Sequence, residues 1–227
     1  MQEMGSFRLT SIGLGLVAAL SLQEAHVEKT RTVDDRLREF GGRCDALWRA
    51  RCEQAKLPYP PARVRLLALK AERRIEVFAA TADGPWIFLA EYPILAASGG
   101  PGPKLREGDR QVPEGLYDVP SLNPNSRFHV SLRVSYPSAE DLAQAKTEGR
   151  TGLGGDIMIH GGAASIGCLA MGDPAAEELF TLAARRTPSI AILPLDFRRG
   201  AADPAGQPAW MAERYRALRA VVDVLKR

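Results

Sequence analysis

A histidine and a cysteine separated by eight positions are the residues of this sequence best suited to chemistry. They belong to the stretch Ile157-Met158-Ile159-His160-Gly161-Gly162-Ala163-Ala164-Ser165-Ile166-Gly167-Cys168. A thiol attacks a carbonyl only as a thiolate, so it needs a base or a positive field beside it. Glycines lie between His160 and Cys168, so the segment can fold back and bring the imidazole against the sulfur. The pattern therefore predicts a cysteine nucleophile with a histidine base.

The turn around the cysteine is expected to stabilise negative charge on a substrate oxygen. The backbone amides of Gly167, Cys168 and Leu169 can point at one spot, as they would in an oxyanion hole for a tetrahedral intermediate. This would allow acyl transfer through a covalent intermediate on Cys168.

The imidazole of such a pair normally has a third group that orients it. Asp156 is too far away, because four residues of strand span roughly 13 Å. A backbone carbonyl from the loop of residues 161–164 is a better candidate. We therefore expect Gly161 and Gly162 to form the loop that orients the base.

The residues alone also leave room for structural roles. A lone cysteine or histidine is most often part of the core, and the pairing of the two leaves both interpretations open. A zinc site fits poorly, because zinc needs three or four ligands. The chain has only His26, His129 and His160 and no Cys-x-x-Cys pair. We expect no metal and no other cofactor.

Composition narrows the class of protein. The chain has 227 residues, of which 45% are hydrophobic and 25% charged, which is ordinary for a globular protein. The formal net charge of +3 is too small to favour a nucleic-acid partner.

Residues 1–25 are expected to be a signal peptide or a membrane anchor. Arg8 precedes an apolar stretch over residues 9–22, which has the length of a signal-peptide core and is short for a bilayer span. Cleavage after Ser21 or Ala25 would leave the rest of the chain outside the cytoplasm. An uncleaved inner-membrane anchor and a buried N-terminal helix remain open.

Residues 26–57 are predicted to form an N-terminal helical segment, in which the helix begins at about residue 28. Its apolar face repeats every three or four residues, at Val33, Leu37, Phe40, Cys44 and Leu47. Cys44 and Cys52 would lie about 12 Å apart along this helix, too far for a disulfide. Both are therefore predicted to be core residues with free thiols.

Residues 58–197 are predicted to form one domain rich in strands. The strands are expected over 64–70, 74–79, 86–92, 115–119, 128–135, 156–160 and 189–195, the first three as an antiparallel meander. Ser138 and Asp141 form a capping box for one helix, and Asp173 is expected to be the N-cap of another. The loop over 98–113, rich in Gly, Pro and charge, is long enough to suggest a function.

Residues 198–227 are predicted to be a linker and a C-terminal helix. The face of that helix carries Met211, Tyr215, Leu218, Val222 and Leu225. The predicted fold class is therefore α+β, with a mainly antiparallel β domain flanked by N- and C-terminal helices.

The His160-Gly161 pair followed by Ser165-x-Gly167-Cys168 resembles the signature of the YkuD-type L,D-transpeptidases. A second block is similar to the same family: Lys104, then Gly108-Asp109-Arg110 and Val112-Pro113-Glu114-Gly115. The short spacing from His to Cys and the upstream block at 60–70 most resemble the YafK branch. The resemblance covers roughly residues 58–197, and it implies an L,D-transpeptidase-like β-sandwich or barrel.

The resemblance implies an exported enzyme of cell-wall biogenesis and cell shape, in the periplasm or cell envelope, that acts on peptidoglycan stem peptides. Cys168 would attack the L,D bond after the third stem residue, with His160 as base, Gly167 in the oxyanion turn and Ser165 stabilising that turn. An amine of another stem or of a wall-linked lipoprotein would resolve the acyl-enzyme. Water in its place would make the protein a hydrolase, including one that releases such a lipoprotein.

Two departures from the family pattern bear on the substrate. Ile166 stands where many members have His, and Ala170 stands where many have Arg. The loss of that arginine favours a different donor or acceptor, since Arg suits a substrate carboxylate. Arg127, Lys104 and Arg110 are candidates to supply that contact. A wall-binding module with an idle site is the alternative from another class.

Overall fold

The computed structural model describes residues 30–226 as an α+β fold with two sheets. The expectations for residues 1–25, and the histidine at position 26, lie outside the described residues. Within the described part, no helix combines the length and the apolar character needed to cross a membrane.

The N-terminal helix is shorter than predicted, and its buried face differs from the predicted one at Leu47. It begins as α1 (Val33–Arg36), passes through a π-helical turn (Leu37–Gly41) and continues as α2 (Gly42–Gln54). Thr32 and Asp35 form a capping box that fixes its start. Leu47 is exposed, and Trp48 is buried in its place. The Trp48 indole packs near Tyr92 and donates to the Glu178 carbonyl at 2.8 Å, so the larger ring takes the core position.

Cys44 and Cys52 are both fully buried and both free. Cys44 lies in the main core and Cys52 in a small cluster with Leu57 and Ala79. The prediction that they are core residues without a disulfide is confirmed.

The first sheet confirms the predicted meander. Its strands are β1 (Arg63–Leu69), β2 (Arg74–Ala80), β3 (Ile87–Pro93), β4 (Gly115–Asp118) and β9 (Ser189–Leu193), in the order β3-β2-β1-β9-β4. β1, β2 and β3 pair antiparallel, and β4 pairs antiparallel with β9. β9 runs parallel to β1. The sheet is therefore mainly antiparallel, as expected.

The second sheet carries the residues singled out for chemistry. Its order is β5 (Ser121–Ser126), β6 (His129–Arg133), β7 (Met158–His160) and β8 (Leu169–Ala170). β5 and β8 were not predicted. β7 begins at Met158 and not at Asp156, because Asp156 has a φ of +54°, which an extended strand does not allow.

The remaining helices cover the two sheets. α3 (Ala139–Thr147) starts at the predicted Ser138 capping box. α4 (Asp173–Arg185) packs between the N-terminal helix and the second sheet. α5 (Met211–Val222) lays its predicted apolar face on the first sheet, and every residue of that face is buried.

One helix cap was predicted wrongly. Gly172 is the N-cap of α4, and Asp173 is its first residue. The Asp173 carboxylate does not cap its own helix in this structure. It accepts a hydrogen bond from the amide of Gly162, in the loop that follows β7.

Candidate active site

Two neighbouring parallel strands position the histidine and the cysteine. His160 is the last residue of β7, and Cys168 immediately precedes β8. Ile159 pairs with Leu169 and His160 with Ala170. Continuing this register by one step sets Cys168 beside Met158. Cys168 therefore lies at the start of β8, beside the strand that ends in His160.

The imidazole of His160 is buried and held in one tautomer. Its Nδ1 lies 2.6 Å from the Gly161 carbonyl oxygen. A carbonyl can only accept a hydrogen bond, so Nδ1 carries the proton and Nε2 is left as the basic nitrogen. The ring of Phe128 stacks on the imidazole, with centroids 4.6 Å apart and an interplanar angle of 26°.

Burial sets the charge state of both groups. Burial lowers the pKa of His160, and the hydrogen bond to Gly161 opposes that change. Burial also raises the pKa of the Cys168 thiol, which the hydrogen bond from Met158 opposes. Of the nearby charges, Asp156 raises the thiol pKa further and Lys104 lowers it. The resting pair is therefore a neutral thiol beside a neutral imidazole.

In the resting state the Cys168 thiol is bound to a backbone carbonyl. Its Sγ donates to the carbonyl of Asp156 at 3.5 Å. Across residues 30–226, no hydrogen bond joins Cys168 to His160. Catalytic hydrogen bonds are often loose until a substrate is bound, so a rotation of the thiol toward Nε2 would complete the pair.

The turn before the cysteine is held by two serines. The Ser165 hydroxyl accepts from the Cys168 amide at 2.9 Å and donates to the Cys168 carbonyl at 2.6 Å. The Gly167 amide donates to the Ser98 hydroxyl at 2.6 Å, and Ser98 donates onward to the Arg110 carbonyl. Gly167 has a φ of +92°, a conformation that glycine adopts without strain.

This arrangement differs from the expected free oxyanion turn. The amides of Gly167 and Cys168 are both occupied by serine hydroxyls, and Leu169 is fully buried within β8. A substrate oxygen could reach the Gly167 amide only by taking the place of the Ser98 hydroxyl.

A cavity of about 440 Å³ lies next to the turn that precedes Cys168. Its lining includes Lys104, Arg110, Asp156, Ile166 and Gly167. Ile166, the residue that stands where many members of the resembled family have His, is 78% exposed at the rim. The cavity therefore combines charged side chains with an apolar edge.

The three cations predicted to contact substrate differ in exposure and in their position relative to the cavity. Arg110 is exposed on the cavity wall. Lys104 also lines the cavity, but it is buried and forms an ion pair with Asp109 at 2.7 Å. Arg127 is exposed in the turn between β5 and β6 and is not part of the lining. Arg110 is thus the predicted cation with the most direct access to a bound ligand.

The departure at Ala170 has a structural basis. Ala170 is fully buried, and its amide donates to the carbonyl of Ala96 at 2.9 Å. A long charged side chain here would need a different course for the chain around Ala96.

Sequence reasoning missed three residues that contact the site. Ser98, Phe128 and Asp173 touch the turn, the imidazole and the Gly161-Gly162 loop, respectively. Ser98 begins the loop whose length drew attention, and Asp173 was noted only as a helix cap. Phe128 carried no signal in the sequence.

No metal centre is formed by the described residues. Between residues 30 and 226, no group of three or more His, Cys, Asp or Glu side chains could hold an ion.

Comparison with known proteins places this site in a family. YafK of Escherichia coli K12 and of Escherichia coli O157:H7 are each 36% identical to this chain over 119 residues, 52% of this chain and 46% of theirs. The chain thus spans about half the length of the curated relatives it matches.

Two solved structures have a similar backbone course over part of the chain. The helical cell shape determining protein Pgp2 of Campylobacter jejuni is 24% identical, with a TM-score of 0.47, over 57% of this chain and 46% of its own. L,D-transpeptidase 1 of Mycobacterium tuberculosis is 16% identical, with a TM-score of 0.34, over 58% of this chain and 62% of its own.

The family model for the L,D-transpeptidase catalytic domain, YkuD, matches residues 67–191. This segment runs from β1 to β9 and includes His160, Cys168 and the loop at 98–113. Because the match covers more than half of the chain, the protein belongs to the YkuD family of L,D-transpeptidase catalytic domains.

Proposed function

We propose that this protein is a cysteine acyltransferase that acts on peptidoglycan stem peptides in the cell envelope. The observation that carries the proposal is the fixed tautomer of His160. Its Nδ1 proton is committed to Gly161, so Nε2 is the basic atom, and the strand that His160 ends pairs with the strand that Cys168 precedes.

The first half-reaction follows from these positions. The Cys168 thiol transfers its proton to His160 Nε2, and the thiolate attacks the carbonyl carbon of the L,D bond after the third stem residue. The oxyanion takes the place of the Ser98 hydroxyl at the Gly167 amide. The imidazolium then protonates the departing amine, the carbon–nitrogen bond breaks, and a thioester remains on Cys168.

The second half-reaction decides the product. An amine from another stem or from a wall-linked protein attacks the thioester, passes a proton to His160 and expels the thiolate. The exposed Arg110 beside the cavity supplies a contact for a carboxylate of either peptide.

Hydrolysis by the same pair is the second candidate, and the exposure of the site supports it. Ile166 is 78% exposed, and Ala163 and Ala164 are exposed between the histidine and the cysteine. Water therefore reaches the segment next to the partly buried Cys168. A hydrolase of this kind could also release a wall-linked lipoprotein.

The test is product analysis by mass spectrometry after incubation with isolated peptidoglycan, for wild type beside Cys168→Ala. New cross-linked or amine-exchanged stems that the variant does not make would support transpeptidation. Shortened stems or released protein fragments without new cross-links would support hydrolysis. Wall binding without any product from wild type would overturn the enzyme proposal in favour of a binding module.

A further inference from the structure

One peptide group links the candidate base to a carboxylate on a different element. The carbonyl of Gly161 accepts from His160 Nδ1 at 2.6 Å. The amide of the same peptide group belongs to Gly162, and it donates to Asp173 Oδ1 at 2.8 Å. The hydrogen bonds therefore run without a break from the Asp173 carboxylate, through one peptide plane, to the imidazole.

We propose that Asp173 is a positioning residue for His160 that acts through the Gly161-Gly162 peptide. This inference rests on the proposed role of His160 as the base. Its effect is that of the carboxylate that orients the imidazole in a catalytic triad, placed one peptide group further away.

The physical reason is the resonance of the amide. A carboxylate that accepts from the N–H end draws charge toward the carbonyl oxygen, which becomes a stronger acceptor for Nδ1–H. The stronger bond holds the ring and its tautomer. When His160 takes the thiol proton, the negative charge at the far end of the peptide also stabilises the imidazolium.

The packing keeps this peptide accessible to the carboxylate. A Cβ at Gly161 would lie 2.4 Å from Asp173 Oδ1 and 2.7 Å from the Phe128 carbonyl. Only glycine therefore fits at position 161. The Gly162 carbonyl accepts from the Gly172 amide at 2.8 Å. Both the amide and the carbonyl of Gly162 are therefore hydrogen-bonded to the start of α4.

Other charged or titratable groups surround the pair and must be held constant. Asp156 and Lys104 act on the Cys168 thiol. His129, which follows Phe128, lies with its Nε2 2.7 Å from a carboxylate oxygen of Glu177. Glu177 also forms an ion pair with Arg43. These five groups contact partners other than the Gly161-Gly162 peptide. A change at Asp173 therefore leaves their contacts in place.

Asp173 also has a simpler role, which the test must separate. A carboxylate in the first turn of α4 interacts favourably with the helix dipole and stabilises the fold. Asp34 is an exposed first-turn carboxylate of α1 without contact to the site, and it supplies the matched control.

The experiment measures the rate of alkylation of Cys168 by iodoacetamide from pH 6 to pH 11, with Cys44 and Cys52 buried and unreactive. Asp173→Asn keeps an oxygen for the Gly162 amide but loses the charge. We expect its rate at pH 7 to fall about three- to tenfold and to converge on the wild-type rate above the thiol pKa. Asp34→Asn should match wild type throughout.

Three outcomes decide between the explanations. A wild-type rate at pH 7 for a folded Asp173→Asn protein overturns the inference. A deficit that persists unchanged to pH 11 also overturns it, because that reports disturbed access and not a lost charge. Should the variant fail to fold, Asp173→Glu decides, since a retained carboxylate must keep the rate at pH 7 near wild type.

The same assay separates this inference from the proposed function. If His160→Ala alkylates like wild type at pH 7, the base assignment has failed, whatever Asp173 does. If His160→Ala is alkylated slowly and Asp173→Asn is alkylated at the wild-type rate, the pairing of His160 with Cys168 is supported and only the role of Asp173 is overturned.

Discussion

A buried ion pair holds the loop over residues 98–113, whose Ser98 accepts a hydrogen bond from the turn before Cys168. Lys70 Nζ donates to the carbonyls of Gly102 and Val112 and to Glu114 Oε1, at 3.1, 2.9 and 2.8 Å. The Glu114 side chain is fully buried, and its second oxygen accepts from the Tyr215 hydroxyl at 2.7 Å. The pair thus ties both ends of the loop to β1 and to the C-terminal helix.

The predicted perturbation is Lys70→Met, which keeps the apolar stem and removes the charge. Removing one partner of a buried pair costs about 3–5 kcal/mol, because the other charge stays buried without compensation. Glu114 keeps its bonds from the Gly102 amide and the Tyr215 hydroxyl, so we expect the lower end, about 3 kcal/mol. Loss of three anchors should also loosen the contact of Ser98 with Gly167.

The assay is urea denaturation of Lys70→Met beside Arg38→Met. Arg38 pairs with Asp35 on the surface, where such a pair contributes at most about 1 kcal/mol. The double variant Lys70→Met with Glu114→Gln should recover part of the loss, because it removes the uncompensated charge. A cost for Lys70→Met no larger than that for Arg38→Met would refute the reasoning.

Three further predictions concern the core, the loop and the base. Cys44→Ser and Cys52→Ser should each cost about 1–3 kcal/mol in unfolding free energy, by burying a hydroxyl, and leave activity intact; an activity loss like that of Cys168→Ala would contradict their assignment to the core. Ser98→Ala should speed proteolysis within residues 98–113, since the loop loses its bond to Gly167; unchanged cleavage would contradict that role. Burial lowers the pKa of His160 below 6.5, so the unfolded chain binds its proton first as the pH falls. The free energy of unfolding of wild type should therefore decline as the pH falls below about 6.5, because His160 must then be protonated. Urea titrations in which this free energy depends on pH equally in wild type and His160→Ala would contradict this.

Local pattern was enough to predict much of the fold. The alternation in β1 to β3, the Ser138 capping box and the apolar face of α5 are each encoded within a few neighbouring residues. Their physics is local, so the sequence alone specifies them.

Elements that depend on partners were missed. β5 contains Asn123-Pro124-Asn125, residues that disfavour strands, and it forms because β6 pairs with it. β8 has two residues and exists only through its pairing with β7. The choice of Trp48 over Leu47 for the core was decided by the neighbours on α4 and β3.

The same division applies to the site. His160 and Cys168 were found because their residue types and spacing are close in sequence. Ser98 lies 69 positions from Gly167, and Phe128 reaches His160 from the end of another strand pair. Asp173 was noticed as a helix residue, but its partner Gly162 follows from the packing of α4 against β7. Contacts of this kind arise from the tertiary fold, and no local pattern specifies them.

The role of Cys168 is tested by the mass of the intact protein after incubation with a tetrapeptide stem, followed by peptide mapping. We expect an adduct equal to the stem without its terminal residue, attached to Cys168, absent from Cys168→Ala and formed much more slowly by His160→Ala. An adduct on another residue, or product formation by Cys168→Ala at the wild-type rate, would contradict the assignment of Cys168 as the nucleophile.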